Sequence, residues 1–427
     1  MSDVMPNDET QRSAVILVVD RLQAGQLGPY GNTWVHTPEI DALASRAFLF
    51  DQAHVDCPQL AAVYRAYWQG LHALVPEQDT ANRPSLPGLL HAQGIETFLL
   101  TDEPRVADHP LASQFDELIR LEPSTVTTAA EQVEQTHFAH FFATAAELLE
   151  QIDRPSLVWL HSRGMNAPWD APVRYRNQYA AEDDPRPPSS ARVPELTFDE
   201  AADPDELMGI VQAYAGQVSL LDECIGGLLE ALDQLPVGDA ALFAMLSARG
   251  MALGEHGRVG PADQRLFGEL VHAAWLMRFP DALGAAARSG SLVRPDDLPT
   301  TLLSWWQLDG VSVDGVSVDG ALGGTGTNLM PLISGHRSGS RDRICLTNGR
   351  QERAIRTPGW HLRFDEAEPP LAQLFAKPDD LWEVNEVSDR CADVVEGLID
   401  AYHQFEQANQ AAPTDDLPPL KEFLLHG

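Results

Sequence analysis

The run Ala14–Val19, AVILVV, is continuously apolar and mostly β-branched, and it ends on an acid and a base, Asp20 and Arg21. A short run of this kind reads as a strand buried on both faces, which requires a sheet covered by helices on two sides. That requirement sets the class as α/β. It also raises a chemical question, because carboxyl ends of parallel strands are where sites are built. A metal-binding strand end would carry two acids; this one carries an acid and an arginine.

The rest of the chain agrees with that class. Ser156–Leu160, SLVWL, is a second buried strand, and the run from Ala240 to Leu246 stops at Ser247-Ala248-Arg249-Gly250. Thr97–Leu100 and Trp275–Arg278 also read as strands. Between them lie helical segments: Pro38–Ala47 behind a Thr37 cap with proline in the first turn, Leu86–Ala92, Ala139–Ile152 and Asp205–Leu235. Strands alternating with helices predict a doubly wound, mainly parallel sheet. Ala180–Ala201 is proline-rich and acidic, a surface excursion. Val311–Gly320 repeats a VSVDG unit once, too few copies for a solenoid, and reads as a duplicated loop or hairpin edge. From Arg341 the texture changes. Ile344–Thr347, Glu352–Arg356 and His361–Phe364 are short strands, followed by a helix from Asp389 to Gln407. The expected division is an α/β domain over 1–340 and a small C-terminal subdomain over 341–427. The latter is an antiparallel sheet plus helix, with a surface tail around Pro413, Asp415 and Asp416.

The 427 residues are 44% hydrophobic, ample for a large core, and the net charge is −34. That charge argues against nucleic acid or an anionic membrane as partner. No run approaches the ~20 apolar residues of a membrane span. The first thirteen residues are polar and acidic, without a leader pattern, so a cytoplasmic protein is expected. Cys57, Cys224, Cys345 and Cys391 show no metal-ligand spacing and are expected as four free, buried thiols.

In order and spacing the segments resemble the sulfatase family of the alkaline phosphatase superfamily, over nearly the whole chain. VILVVDRLQAGQLGPYGN resembles the family's opening strand and turn, VVDDLRxDxLGCYGN. HTPEIDALASRAFLFDQAHV is similar to TPNLDxLAxxGxxFxxAYV. YAGQVSLLDECIGGLLEAL resembles the helix YxAxVxxLDxxIGxLLxxL, and GEHG, AIRTPGWHLRFD and KPDDLWEVNEV resemble later family elements.

The resemblance implies a chemistry that can be checked by position. Family sulfatases hold one hard divalent cation, normally calcium, between acids at two strand ends. A cysteine or serine beside it matures to formylglycine. Nearby Arg, Lys and His residues neutralise the sulfate and protonate the leaving oxygen. Here the first metal acid matches Asp20 and the second falls on Arg21. An ungapped match from Phe50 to Gly70 sets the nucleophile on Leu60, the motif proline on Ala62 and its arginine on Tyr64. Cys57 lies three residues early and has neither motif partner. The GKWH segment falls on Thr101-Asp102-Glu103-Pro104. The PHxPW histidine falls on Asn166, with Pro168 and Trp169 kept. The SDHG strand end falls on Ser247-Ala248-Arg249-Gly250, and a further lysine near Pro261. Only Asp20 keeps its family residue, while the backbone-setting Gly31, Gly70, Gly250, Gly254 and Gly257 persist.

The expectation is therefore a sulfatase-fold pseudoenzyme with a binding or regulatory role, holding neither calcium nor formylglycine. The alternative is an active sulfuric or phosphoric ester hydrolase with a rebuilt site, using His161, Asp20 and water. A third reading is an anion-binding module gripping esters through its arginines. Partners would be an unknown protein or an anionic small molecule, with homo-oligomers open. The degenerate-pocket candidates are Asp20, Arg21, His161, Asn166, Arg249 and His256. At least one of Arg21 and Arg249 should pair Asp20 in place of a metal, unless Arg21 snorkels along the surface. His161 should sit hydrogen-bonded at a pocket rim, Glu255 and His256 should be structural, and Trp305-Trp306 should be core.

Overall fold

In the computed structural model, the described residues are 12–77, 83–199, 203–308, 312–313, 316–317, 322, 324–336, 341–367 and 370–427. The acidic residues 1–11 fall outside them. So does most of the VSVDG repeat, of which Ser312–Val313 pairs antiparallel with Val316–Ser317 as a hairpin.

A nine-stranded sheet organises the chain. From one edge its order is His272–Ala273, Phe48–His54, Trp275–Arg278, Ala241–Arg249, Ser13–Asp20, Ser156–Ser162, Glu96–Thr101 and Glu117–Arg120, with Arg288–Val293 also pairing Phe48–His54. Ser13–Asp20 lies parallel to both its neighbours. Trp275–Arg278 runs antiparallel to both of its own, which makes the sheet mainly rather than wholly parallel. Ala14, Ile16 and Val18 enter one apolar core and Val15, Leu17 and Val19 the other. The doubly buried strand read from the sequence is thus explained by its side chains alternating between two cores.

Helices cover both faces. Pro204–Gln234 begins where the Asp203 carboxylate accepts from the Asp205 amide. His137–Glu150 starts two residues earlier than its periodicity suggested, because Thr136 caps it by accepting from Ala139 N. Leu60–Gln69 ends at Gly70 with φ 66°, a left-handed cap suited to glycine.

Ile344–Thr347, Arg353–Arg356, Trp360–Phe364 and Ala372–Ala376 form a four-stranded antiparallel sheet whose apolar side packs against Ala392–Ala411. The last of these strands was not read from the sequence. The proline-rich excursion is tied down: the Arg176 guanidinium donates to the carbonyls of Pro188 and Ser190, and Leu196–Thr197 pairs with Arg258–Gly260. Trp305 and Trp306 are core, their indole N–H groups donating to the backbone of Ser13 and Arg12. All four cysteines are free, but only Cys57 and Cys345 are buried; Cys224 and Cys391 are half-buried. The C-terminal tail is likewise more than a surface strap, since Asp415 reaches into buried ion pairs.

Candidate functional site

The carboxyl ends of Ser13–Asp20 and Ala241–Arg249 meet as the sequence implied, through an irregularity. The register shifts between Val19 and Asp20, so Asp20 stands opposite Arg249 rather than Ala248. Asp20 is fully buried. Arg249 grips it with a fork: Nε lies 2.8 Å from Oδ1 and Nη2 3.0 Å from Oδ2, while Nη1 donates to the Pro58 carbonyl at 2.8 Å. Burial pushes Asp20 up, but the charge and hydrogen bonds of Arg249, helped by the charge of Arg21, hold it below the usual carboxylate range. At position 164 the chain crosses this strand end so closely that a Cβ would come within 2.3 Å of the Asp20 carbonyl, and φ there is +54°; glycine meets both conditions.

Arg21 takes the other course. Its backbone is left-handed at φ 61°. Its guanidinium donates to the carbonyls of Gly250 and Pro261, and its Nε is buried without a partner among the described residues. It neither pairs Asp20 nor snorkels along the surface; it is buried. Burial, with repulsion from Arg249, pulls it down to about 9.

Leu60 is the first residue of the helix Leu60–Gln69 and is buried in the core. One turn on, the Tyr64 hydroxyl hydrogen-bonds His161 Nδ1. This corrects the expectation for His161, which is fully buried rather than at a rim. Where the family places an arginine, the Tyr64 ring and its neighbours Trp68 and Trp159 fill the space. Burial, with Arg249 and Arg163 nearby, pulls His161 down to about 4, so its neutral Nδ1 accepts from Tyr64. The GKWH position holds acids that serve Arg163: Glu103 Oε2 lies 3.2 Å from its Nε, and Asp102 accepts its backbone N–H at 2.7 Å.

Two candidates belong elsewhere. Asn166 closes the turn Gly164–Asn166 half-buried, its carbonyl accepting from Arg163. His256 sits in the turn Glu255–Gly257 with φ 52°, stacked on Phe267 with ring centroids 3.5 Å apart. Its Nδ1 donates to Glu269 and its Nε2 to the Glu383 carbonyl. Burial opposes its charge, but Glu269 outweighs that and raises it. The structure therefore brings together Asp20, Arg249 and His161, with Arg21 and Leu60 alongside, and leaves Asn166 and His256 in separate contacts.

A hard divalent cation wants six to eight oxygens. Here both oxygens of the surviving acid are held by a guanidinium, and the facing strand end supplies Ala248 and Arg249. The donor set does not fit calcium. Leu60 carries no group that could become formylglycine.

The sulfatase family model matches residues 12–308. The chain belongs to the sulfatase family. A human relative, iduronate 2-sulfatase, is 34% identical over 86 residues, which cover 20% of this sulfatase-family chain and 15% of the relative. The structure of BT4656 in complex with its substrate D-glucosamine-2-N,6-O-disulfate superposes with a TM-score of 0.73 at 14% identity, covering 94% of this chain and 98% of that one. Phosphonate monoester hydrolase of Agrobacterium radiobacter does so with a TM-score of 0.73 at 15% identity, covering 93% and 96%. The fold is the family's.

A second buried acid near the nucleophile segment was not read from the sequence, because nothing in DCPQL marks its partners. Asp56 is fully buried; Oδ2 accepts from Ala73 N, and Oδ1 has no partner among the described residues. His72 stands 3.7 Å away but is no counter-ion: its Nε2 donates to the Cys345 carbonyl and its Nδ1 accepts from Leu74 N, which fixes it neutral. Burial and the charge of Asp296 push Asp56 up to about 7. A folded-state value above the unfolded one favours folding at low pH and loses that stability as pH rises towards 7. Asp56→Asn should therefore gain on the parent by about 2–3 kcal/mol between about pH 5 and about pH 8. Urea unfolding at the two pH values checks this; a constant difference refutes it.

Proposed function

We propose that this sulfatase-family protein does not hydrolyse sulfate esters and acts instead as a binding or regulatory protein for an anionic small molecule. The reading rests on one observation above the rest: Arg249 occupies both oxygens of Asp20, the one acid kept at the family's metal positions. Leu60 at the nucleophile position supports it, since an isobutyl side chain can neither attack nor mature. A rebuilt hydrolase on His161 would need that imidazole beside bound water; it is buried instead, with Nδ1 engaged by Tyr64.

Purified protein should turn over aryl sulfates, aryl phosphates and phosphonate monoesters no faster than buffer, with or without calcium, magnesium or manganese. Intact mass should show all four cysteines unmodified. Saturable hydrolysis abolished by Asp20→Asn or His161→Gln would overturn the proposal, as would an aldehyde mapped to Cys57.

A further inference from the structure

Beside the filled strand ends lies a cavity of about 90 Å³. It is walled by the turn after the opening strand, by Gln52 and His54 at the end of Phe48–His54, by His272, and by the C-terminal sheet with the segment Lys377–Glu383. None of these residues was singled out as a site from the sequence. Its wall sets Arg356 and Lys377 against Glu269 and Glu383, in a protein of net charge −34.

Arg356 is buried in its wall. Nη1 of its guanidinium donates to the carbonyls of Thr357, Pro358 and Trp360, and Nη2 donates to Gln52 Oε1 at 2.9 Å. Among the described residues no carboxylate comes within ion-pair reach of it. The other charges near the cavity are already answered. Lys377 Nζ lies 3.0 Å from Glu383 Oε1, and Glu383 Oε2 accepts from Gly268 N. Glu269 takes His256. The Lys377 ammonium also donates to the carbonyls of Asp380 and Leu381. One buried guanidinium is left without a carboxylate of its own; Glu383, already paired with Lys377, acts on it only across the cavity.

Three imidazoles share the cavity. The rings of His54 and His272 stack at 5.2 Å. His272 Nε2 lies 2.9 Å from the Asp51 carbonyl and His361 Nε2 2.9 Å from the Leu266 carbonyl. A carbonyl only accepts, so both Nε2 atoms carry their protons and each Nδ1 is the titrating nitrogen. His54 Nδ1 is buried without a partner among the described residues. Burial, with repulsion from Arg356 and Lys377, holds His272 and His361 down at about 4, against an opposing pull from Glu383; His54 is also held well below its usual value. An anion in the cavity would answer Arg356 and let the imidazoles take up protons.

Size narrows the ligand. A cavity of about 150 Å³ holds benzene, so this one admits a small headgroup and excludes a ring. The mouth carries Leu381 and Trp382, both more than half exposed. Glu383 anchors that segment with φ 56°, so Trp382 is presented on a fixed turn. We propose that this cavity binds the oxyanion headgroup of a small ligand, a sulfonate, sulfate, phosphate or carboxylate, whose apolar body lies against Trp382. The inference gives a place and a chemistry to the binding role proposed above and rests on that reading.

Benzenesulfonate is the probe, because it keeps its charge across the pH range and has no ester to hydrolyse. Calorimetric titration of the full chain should show binding at least about tenfold tighter near pH 5.5 than near pH 8, since protonated imidazoles favour an anion. The neutral benzenesulfonamide should not compete. Inorganic sulfate, phosphate and benzoate, tested as competitors, separate the headgroup types. Trp382→Ala, at an exposed position, should weaken benzenesulfonate and leave inorganic sulfate unchanged. Arg356→Gln should weaken both by about tenfold or more, with Arg356→Lys recovering part of the loss. No binding of benzenesulfonate, equal binding of the sulfonamide, or affinity that rises with pH would each overturn the inference. Turnover of an aryl sulfate would overturn the catalytic silence while leaving the cavity measurements standing, so the two failures are distinguishable.

Discussion

Arg249→Ala is expected to destabilise the protein by about 3–5 kcal/mol at neutral pH, because it strands a buried carboxylate. Asp20 is fully enclosed, and its two oxygens are satisfied by the one guanidinium. Arg21 is not placed to take over, since its backbone turns left-handed and carries its two terminal nitrogens to the carbonyls of Gly250 and Pro261. The Pro58 carbonyl also loses its donor, next to the start of the helix Leu60–Gln69. The loss reflects the charge left behind rather than the net value of the pair, for desolvation can cancel the attraction of a buried ion pair. Replacing both partners by apolar residues, Asp20→Leu with Arg249→Met, should therefore recover most of what Arg249→Ala loses. Urea unfolding of the parent, the single and the double variant measures both. A loss under about 1 kcal/mol for Arg249→Ala, the range of exposed pairs, would mean that the fork contributes little.

The existence of that pair was legible in the sequence, and its identity was not. The β-branched opening run, the second strand SLVWL and the strand ending at Arg249 specify parallel neighbours whose ends converge. Two arginines at those ends imply a cation-for-cation replacement. Which arginine pairs Asp20 depends on a one-residue register shift and on φ at Arg21, neither of which leaves a compositional trace. The placement of His161 failed for a related reason. A strand-end histidine reads as a rim residue only while the site above it is open. Tyr64 stands where the family has an arginine; its ring meets the imidazole edge-on at 5.3 Å and is backed by Trp159 and Trp68. Substitutions compared one by one show what chemistry is lost; they do not show that the replacements fill the space together. The cavity around Arg356 was illegible because its residues come from four separate stretches and form no motif.

The C-terminal tail is held by a buried network at the start of the helix Asp297–Trp305, and Arg294→Ala should also lose about 3–5 kcal/mol. Arg294 is fully buried. It forks onto Asp296 at 2.9 and 2.8 Å, reaches Asp415 at 3.1 Å and donates to the Thr325 carbonyl. Arg341 forks onto Asp297 at 2.8 Å and reaches the other oxygen of Asp415 at 2.9 Å. Three carboxylates thus share two guanidinium groups, and removing one leaves like charges together in the interior. Asp415 lies on the tail, so its bridge to both arginines ties residues near the C-terminus to the main sheet's flank. Burial alone would raise Asp415, but Arg294 and then Arg341 bring it down to about 2. A folded-state value below the unfolded one gives stability that is present above about pH 4 and lost as pH falls towards 2. The parent should accordingly lose about 2 kcal/mol more than Asp415→Asn over that interval. Denaturant unfolding between about pH 5 and pH 2 measures the difference, and limited proteolysis should cut the tail of Arg294→Ala well before that of the parent. Equal acid sensitivity in parent and Asp415→Asn would show that the bridge does not hold the carboxylate charged, and a tail no more cleavable in Arg294→Ala would show that the network does not hold it down.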